Sequence, residues 1–485
     1  MSLSLLDFKK LRNVLESKEC TGNVVVKFFS GKEENVKVLC CNDSDILTFL
    51  KNKKVSGSHG EIFEYKQNIL CGLGDLNEKE YDEVVAMNVQ KSMGNLFSYI
   101  SKYFKNYSIE FEEFSLVKHC YYGFILASYK YDFLRKDVKE DFKCNLKYPL
   151  EYKNVVEMAH CQNISRFLGD TPANLMTPTH FVEYAKILFE NNEKVKMKVL
   201  EEEDCKKLGM NLMLSVGQGS KEKSKLLTLE YKGNSNLDDH KIAMVGKGVC
   251  FDSGGISLKP SLNMHHMKFD MMGAGTLIGA FKACVDANVK INMTCTIPLV
   301  ENLPSSTATK PGDVFTAMNK MSVEIGNTDA EGRLILADAI CYAQTQYSKK
   351  PEIIMDTATL TGAMVVALGN VYAGYFTNSE KLSKTIEEAS KDSDELLWRM
   401  PLSKYYRKML ESDVADLNNI GGRGMGGSCS AAEFLHAFVE KDVEWVHFDI
   451  AGMMNEGFLK ENYKSGGTGR PLPMFVEMVK KYASN

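Results

Sequence analysis

The chain has 485 residues, of which 44% are hydrophobic and 25% charged, with a formal net charge of −4. That length exceeds a single core of ~100–200 residues and predicts two domains, and the composition excludes a disordered chain. The slightly acidic balance offers no basic field for nucleic acid or an anionic membrane, so small or peptide-like partners are expected. Thirteen cysteines include no Cys-x-x-Cys pair, which argues against a zinc ribbon or a thioredoxin-like motif. Apart from Cys40-Cys41 they are scattered singly, and they are expected to be buried free thiols in a reducing, cytoplasmic compartment. The first residues lack the apolar centre of a signal peptide.

Residues 1–150 are expected to form an N-terminal α/β domain. Short strand-like runs, Val24–Phe29 and Val36–Leu39, alternate with helical stretches such as Glu80–Phe104. A helix over roughly Asn154–Leu168 then ends at the proline-marked turn Gly169–Pro178, so 151–170 is expected to be a linker helix. From 171 to 485, short β-branched runs alternate with helix-length segments. This predicts a larger domain with a mostly parallel sheet flanked by helices, giving an α/β fold overall. Its strand candidates are Leu226–Tyr231, Ile242–Val245, Ile291–Ile297, Ile353–Asp356 and Trp445–Ile450. The apolar window Ile353–Phe376 carries Asp356, three glycines and Asn370, and is expected to be a buried strand followed by a helix rather than a membrane span. Gly421–Gly427 is expected to be a mobile loop.

Polar clusters follow the apolar runs, as they do where ligands gather at the carboxyl ends of a parallel sheet. The strongest cluster is Asn327-Thr328-Asp329-Ala330-Glu331-Gly332-Arg333-Leu334. In an extended segment its two carboxylates and guanidinium, at alternate positions, would point one way. Adjacent carboxylates repel unless a cation or a shared proton lies between them. A second stretch, Gly246–Pro260, supplies Lys247, Asp252 and Lys259, with Asp270 shortly after. Oxygen ligands without His or Cys suit Mg²⁺, Mn²⁺ or Zn²⁺, and bridging carboxylates allow two ions. A desolvated lysine beside cations can lose its proton, whereas Arg333 stays charged and would bind an anion or developing negative charge. The implied chemistry is metal-assisted hydrolysis, and an ion pair alone does not choose between amide and phosphate ester. His265-His266 has no zinc spacing and is expected to be a surface or supporting pair. Asp338 is expected to face solvent or a neighbouring helix rather than the site.

The stretch from about Asp170 to Pro471 resembles the leucyl (cytosol) aminopeptidases, dizinc metallopeptidases whose signature octapeptide is unbroken at Asn327–Leu334. Thr171–Asn174, Val216–Ser220, Gly246–Pro260, Asp356–Ala363 and Thr468–Pro471 are further blocks similar to that family. The resemblance implies Lys247, Asp252, Asp270, Asp329 and Glu331 as metal ligands, with Asp252 and Glu331 touching both ions. It implies catalytic roles for Lys259, toward the scissile carbonyl, and for Arg333, which would hold a bicarbonate ion. Met267, Thr359, Gly362, Ala451 and Met454 match the pocket for the first side chain, with Leu360 presenting backbone. Two methionines among small residues make an apolar, adaptable pocket suited to Leu- or Met-like residues. The family likeness further implies release of N-terminal residues from short peptides with a free N-terminus, by attack of a metal-bridging hydroxide on the first peptide bond. It also implies Zn²⁺ or Mn²⁺ as cofactors, with Mg²⁺ or Co²⁺ possible at the exchangeable position, and assembly as a homohexamer.

Overall fold

The computed structural model describes residues 15–17, 20–76, 82–136, 142–234, 240–347, 349–421, 425–454, 461–463 and 466–484. It divides into two compact units, one from the described parts of 6–164 and 456–466, the other from those of 165–455 and 467–485. The division falls inside the helix Lys153–Asp170, and the described residues 461–463 and 466 go with the first unit.

The first unit holds strands Gly22–Ser30 (β1), Lys37–Val38 (β2), His59–Tyr65 (β3), Asn68–Leu73 (β4), Tyr107–Phe111 (β5) and Asn145–Lys147 (β6). Its helices are Ser44–Lys53 (α1), Asp82–Tyr103 (α2) and Val117–Ser128 (α3), followed by Lys153–Asp170 (α4). The strands form one sheet in the order β3-β4-β1-β5-β6, with β2 added antiparallel to the end of β1. Asp43 caps α1 by accepting from the Asp45 and Ile46 amides at 3.0 and 3.1 Å, which satisfies donors that have no partner within the helix. Residues 80–81 of the expected helix lie outside the described residues.

The second unit begins with Pro178–Phe189 (α5), where Thr177 caps and proline occupies the first turn. Then come Val195–Leu200 (β7), Glu202–Leu208 (α6), Asn211–Gly217 (α7), Lys225–Lys232 (β8), Ile242–Gly246 (β9), Gly248–Asp252 (β10), Met272–Asp286 (α8) and Asn292–Asn302 (β11). The chain continues through Val314–Thr316 (β12), Ser322–Glu324 (β13), Gly332–Thr345 (α9), Ile353–Ala358 (β14), Gly362–Leu368 (α10), Ala373–Thr377 (β15) and Glu380–Ser393 (α11). It ends with Leu397–Arg399 (β16), Lys404–Lys408 (α12), Leu417–Asn418 (β17), Gly427–His436 (α13), Glu444–Asp449 (β18) and Leu472–Ser484 (α14).

The main sheet runs β16-β15-β18-β14-β9-β11-β8-β7, with β10 also on β11. Its centre, β18-β14-β9-β11, is parallel throughout, and among the described residues its antiparallel pairs are β15–β18, β11–β8 and β8–β7. β11 is buried along its whole length and β14 likewise, which is why Met293–Ile297 and Ile353–Met355 read as apolar and β-branched runs without polar alternation. The window Ile353–Phe376 contains strand β14, helix α10 and most of a further strand, β15, which the sequence reading did not separate. Residues 422–424 of the expected glycine loop lie outside the described residues.

Candidate metal centre

Parallel order brings the ends of β9, β14 and β18 to one edge of the sheet, together with the carboxyl ends of β10 and β11. β9 does not give way to a loop. After the single residue Lys247 the chain resumes as β10, and both strands pair in parallel with β11. Lys247 is fixed at that break because its amide donates to the Thr357 carbonyl at 3.0 Å and its carbonyl accepts from Ala274 at 2.8 Å.

The buried Lys247 ammonium donates to Asp270 Oδ1 at 2.7 Å, Glu331 Oε1 at 2.8 Å and the Thr359 carbonyl at 2.8 Å. Burial works against its charge, yet Asp270, Glu331 and Asp252 together raise its pKa above the usual lysine range. Lys259 reaches in from the more open side, 2.6 Å from Asp252 Oδ2 and in contact with Asp329. Carboxylate oxygens of Asp252, Asp329 and Glu331 lie within 4.8 Å of one another. Such crowding is costly. Burial, then Glu331, push Asp252 up to about 6, and burial raises Asp270 and Asp329 as well. Burial acts the same way on Glu331, but Lys247 and Lys259 outweigh it and hold that carboxyl below its ordinary value.

The octapeptide is not an extended segment. Asn327–Glu331 turn into α9, Glu331 stands at its N-cap, and Arg333 is in the first helical turn. Alternation therefore does not align the three charges. Asp329 and Glu331 converge on the acidic cluster through the turn, while Arg333 Nη1 donates to the Asn419 carbonyl at 2.7 Å. Burial lowers Arg333 to about 10, which leaves it charged at neutral pH, and its buried Nε has no hydrogen-bond partner. Gly332 has a steric reason to be glycine, since a Cβ there would come within 2.6 Å of Lys247 Cε. Gly254, at φ +88°, lets its amide cap Asp252 Oδ1 at 2.9 Å.

Three supporting residues were not singled out from sequence. Asn302, ending β11, donates to Asp252 Oδ1 at 2.8 Å and to the Thr328 carbonyl at 3.0 Å. Asn419 donates to the Asn327 and Ala330 carbonyls and accepts from the Gly326 and Asn327 amides, so one side chain staples the octapeptide turn. Asp449, ending β18, accepts from the Leu360 and Ala451 amides and, at 2.6 Å, from the Thr361 hydroxyl. Asn302 and Asp449 occupy strand carboxyl ends, which was the available signal. Asn419 carried none.

Of the residues expected to line a pocket, Thr359 is buried and donates its hydroxyl to Asp270 Oδ1 at 2.9 Å. Leu360 follows it, half-buried. Gly362 opens α10, which packs on the short 3-10 helix Ala451–Met453, and Met454 is the next residue. A Cβ on Gly362 would meet nothing within 4 Å, so this helix start faces open space. Met267 lies on the 3-10 helix Met264–Met271 that carries Asp270 and packs on β10. His265 and His266 share that helix, their rings 4.1 Å apart, with His265 exposed. Asp338 is fully buried and accepts from Met213, in α7, and from Met318; it faces a helix partner and not solvent.

The donor set fits divalent metal. Four carboxylates and an amine converge, and Asp270 Oδ2 is buried with no hydrogen-bond partner. Residues 163–476 match the model of the cytosol aminopeptidase family, catalytic domain. The chain belongs to the cytosol aminopeptidase family. It is 43% identical to the cytosol aminopeptidase of Encephalitozoon cuniculi, over 99% of both chains. With the probable cytosol aminopeptidase of Rickettsia massiliae it shares 39% identity over 89% of this chain and 91% of that one. Among solved structures, the bottromycin maturation enzyme BotP in complex with Mn aligns at TM-score 0.82 and 27% identity, covering 95% of this chain and 99% of that one. The cytosol aminopeptidase from Coxiella burnetii aligns at TM-score 0.81 and 28% identity, covering 96% and 98%. Membership makes this chain a peptidase, a hydrolase that removes N-terminal residues from peptides with the help of divalent metal ions. Among the described residues no helix is long and apolar enough to cross a membrane.

Proposed function

We propose that this chain is a leucyl aminopeptidase that releases apolar N-terminal residues, Leu- and Met-like ones above all, from short peptides with a free N-terminus. The observation that carries this reading is the convergence of Asp252, Asp329 and Glu331 within 4.8 Å, backed by Asp270 and flanked by two lysines. Lys247, Asp252, Asp270 and Glu331 would hold one divalent ion, and Asp252, Asp329 and Glu331 a second, more readily exchanged one. Zn²⁺ and Mn²⁺ are the ions proposed, with Mg²⁺ or Co²⁺ at the exchangeable position. Bound there, they supply Lewis acidity toward an amide carbonyl and lower the pKa of water.

The chain's own groups do the rest. Lys247 would join the ligand set by losing to solvent one of the three protons it now donates to Asp270, Glu331 and Thr359, which makes metal binding pH-dependent. Lys259 keeps its proton, since burial is outweighed by Asp252 and Glu331, and its side chain is 21% exposed. It is therefore the donor able to meet a carbonyl oxygen as that oxygen gains charge. Arg333, anchored at Nη1 with Nε unpaired, is suited to holding a small anion, and bicarbonate is the one proposed. Leu360 spends its amide on Asp449, leaving its carbonyl for the peptide. Met267, Thr359, Gly362, Ala451 and Met454 would bound the first side chain. Assembly as a homohexamer in the cytoplasm belongs to the same proposal.

The test is a series of amino-acid amides given to metal-loaded protein. Leucyl and methionyl amides are expected to exceed aspartyl and lysyl amides by at least ~10-fold in kcat/KM, the discrimination an apolar pocket supplies. Equal rates across the series would remove the apolar pocket from the proposal.

A further inference from the structure

The first unit holds a second cluster of ligand-type side chains, which the peptidase reading does not use. Sulfurs of the neighbouring Cys40 and Cys41 and a carboxylate oxygen of Glu112 lie within 4.8 Å of one another. All thirteen cysteines are free, and ten are buried, as the sequence suggests. Cys20, Cys40 and Cys41 are instead half-buried, and the latter two make the chain's one adjacent pair.

Backbone pairing builds this cluster. Leu39 donates to the Phe28 carbonyl at 2.8 Å, which sets Cys40 and Cys41 along one side of β1. Glu112 donates to the Val26 carbonyl at 3.0 Å along the same edge of β1, which brings its side chain next to the two cysteines. Lys27, between those two anchor points, extends its ammonium to 3.6 Å from Cys41 Sγ and 3.1 Å from Glu112 Oε2. Cys40 Sγ accepts the Phe28 amide at 3.2 Å. The lysine thus stands between a sulfur and a carboxylate, much as Lys247 and Lys259 stand among the carboxylates of the main site. With a side chain 16% exposed, it has a route outward.

We propose that Cys40, Cys41 and Glu112 form a binding site for one thiophilic divalent ion of the Zn²⁺ or Cd²⁺ kind. Two sulfurs and one carboxylate are a three-ligand set that leaves a fourth, solvent-facing position in a tetrahedral site. Sulfur selects such ions over the Mg²⁺ and Mn²⁺ that all-oxygen sets accept. Burial pushes the Cys40 thiol up to about 12, so without an ion it is protonated and a poor nucleophile. A coordinating ion displaces that proton outright. Binding would release the thiol protons and move Lys27 out toward solvent.

Full-length protein whose carboxylate site is first filled with excess Mn²⁺ is titrated with Cd²⁺, and the near-ultraviolet thiolate-to-cadmium charge-transfer band is followed. Carboxylates and amines give no such band, so the readout is independent of the main site. One equivalent of band is expected in the unaltered chain, and none in the Cys40→Ser/Cys41→Ser double variant. Glu112→Gln should weaken binding by at least the ~10-fold that loss of even a supporting partner costs. Leucyl amide hydrolysis with Mn²⁺ should be unchanged in both variants. Absence of the band in the unaltered chain, which needs no variant to interpret, overturns the proposal. A full band in the double variant, or undiminished affinity in Glu112→Gln, does the same.

Discussion

The Asn419 carbonyl accepts the Arg333 Nη1 hydrogen at 2.7 Å, while the Asn419 side chain ties down the turn that delivers Asp329 and Glu331. One residue outside the octapeptide therefore fixes both the acidic turn and the guanidinium beyond it. Asn419→Ala would strand the buried Ala330 carbonyl and remove the partners of the half-buried Asn327 carbonyl and of the Gly326 and Asn327 amides. Each unsatisfied group costs about 1–3 kcal/mol. The variant is expected to lose about 3 kcal/mol of stability in denaturant unfolding and most of its peptidase activity; a variant unchanged in both would detach Asn419 from the site.

Among the described residues the Lys259 ammonium pairs with Asp252 and Asp329, while its backbone amide donates to the Ser253 carbonyl at 2.9 Å, a bond that a side-chain substitution keeps. Lys259→Met should therefore fold, retain bound metal, and lower kcat by about 10²–10³-fold, the usual cost of one oxyanion donor, with KM changed far less. Metal content by elemental analysis beside steady-state kinetics separates the two effects. Full metal loss, or a defect confined to KM, would assign Lys259 to assembling the ligand set instead.

Gly362 faces open space at the start of α10. Gly362→Val adds bulk there without striking any atom of the fold, so stability should change by less than about 1 kcal/mol, the ordinary range for a non-clashing helix position. If this space receives the first side chain, kcat/KM for leucyl amide falls about 10-fold or more while alanyl amide is spared. Equal losses for both substrates would place the pocket elsewhere.

The site was legible where chemistry is clustered along the chain. Asn327–Leu334 and Gly246–Pro260 each carry several charges, and the α/β alternation placed Asp252 after a strand. Asn302, Asn419 and Asp449 were not legible as site residues, because each is a single polar residue whose partners come from other segments. Alternation failed as a guide inside the octapeptide, since Gly332 starts a helix and Arg333 Nη1 bonds the Asn419 carbonyl instead of lining up in an extended row with Asp329 and Glu331. β10 was missed as a strand because one residue, Lys247, interrupts a continuous run along β11.

Asp338 gives a pH dependence that is separate from the metal centre. Burial outweighs the backbone donors of Met213, Met318 and Leu212 and raises it from 3.8 to about 7. The folded chain then holds a proton that the unfolded chain releases, so this stabilisation is complete below about pH 3.8 and is lost as pH rises through about 7. Between pH 5 and pH 8 the loss is about 2–3 kcal/mol. Asp338→Asn cannot titrate, so its deficit relative to the unaltered chain should shrink over that interval in chemical unfolding. A constant difference would mean that Asp338 is already ionised at pH 5.

The central claim is that a metal-loaded carboxylate cluster serves a substrate with a free N-terminus. Hydrolysis of leucyl amide and of N-acetyl-leucyl amide should be compared on chelator-treated protein before and after Mn²⁺ or Zn²⁺ is returned. Cleavage of leucyl amide alone, and only after metal is restored, is the predicted result. Cleavage of both substrates, or of leucyl amide by protein stripped of metal, would contradict it.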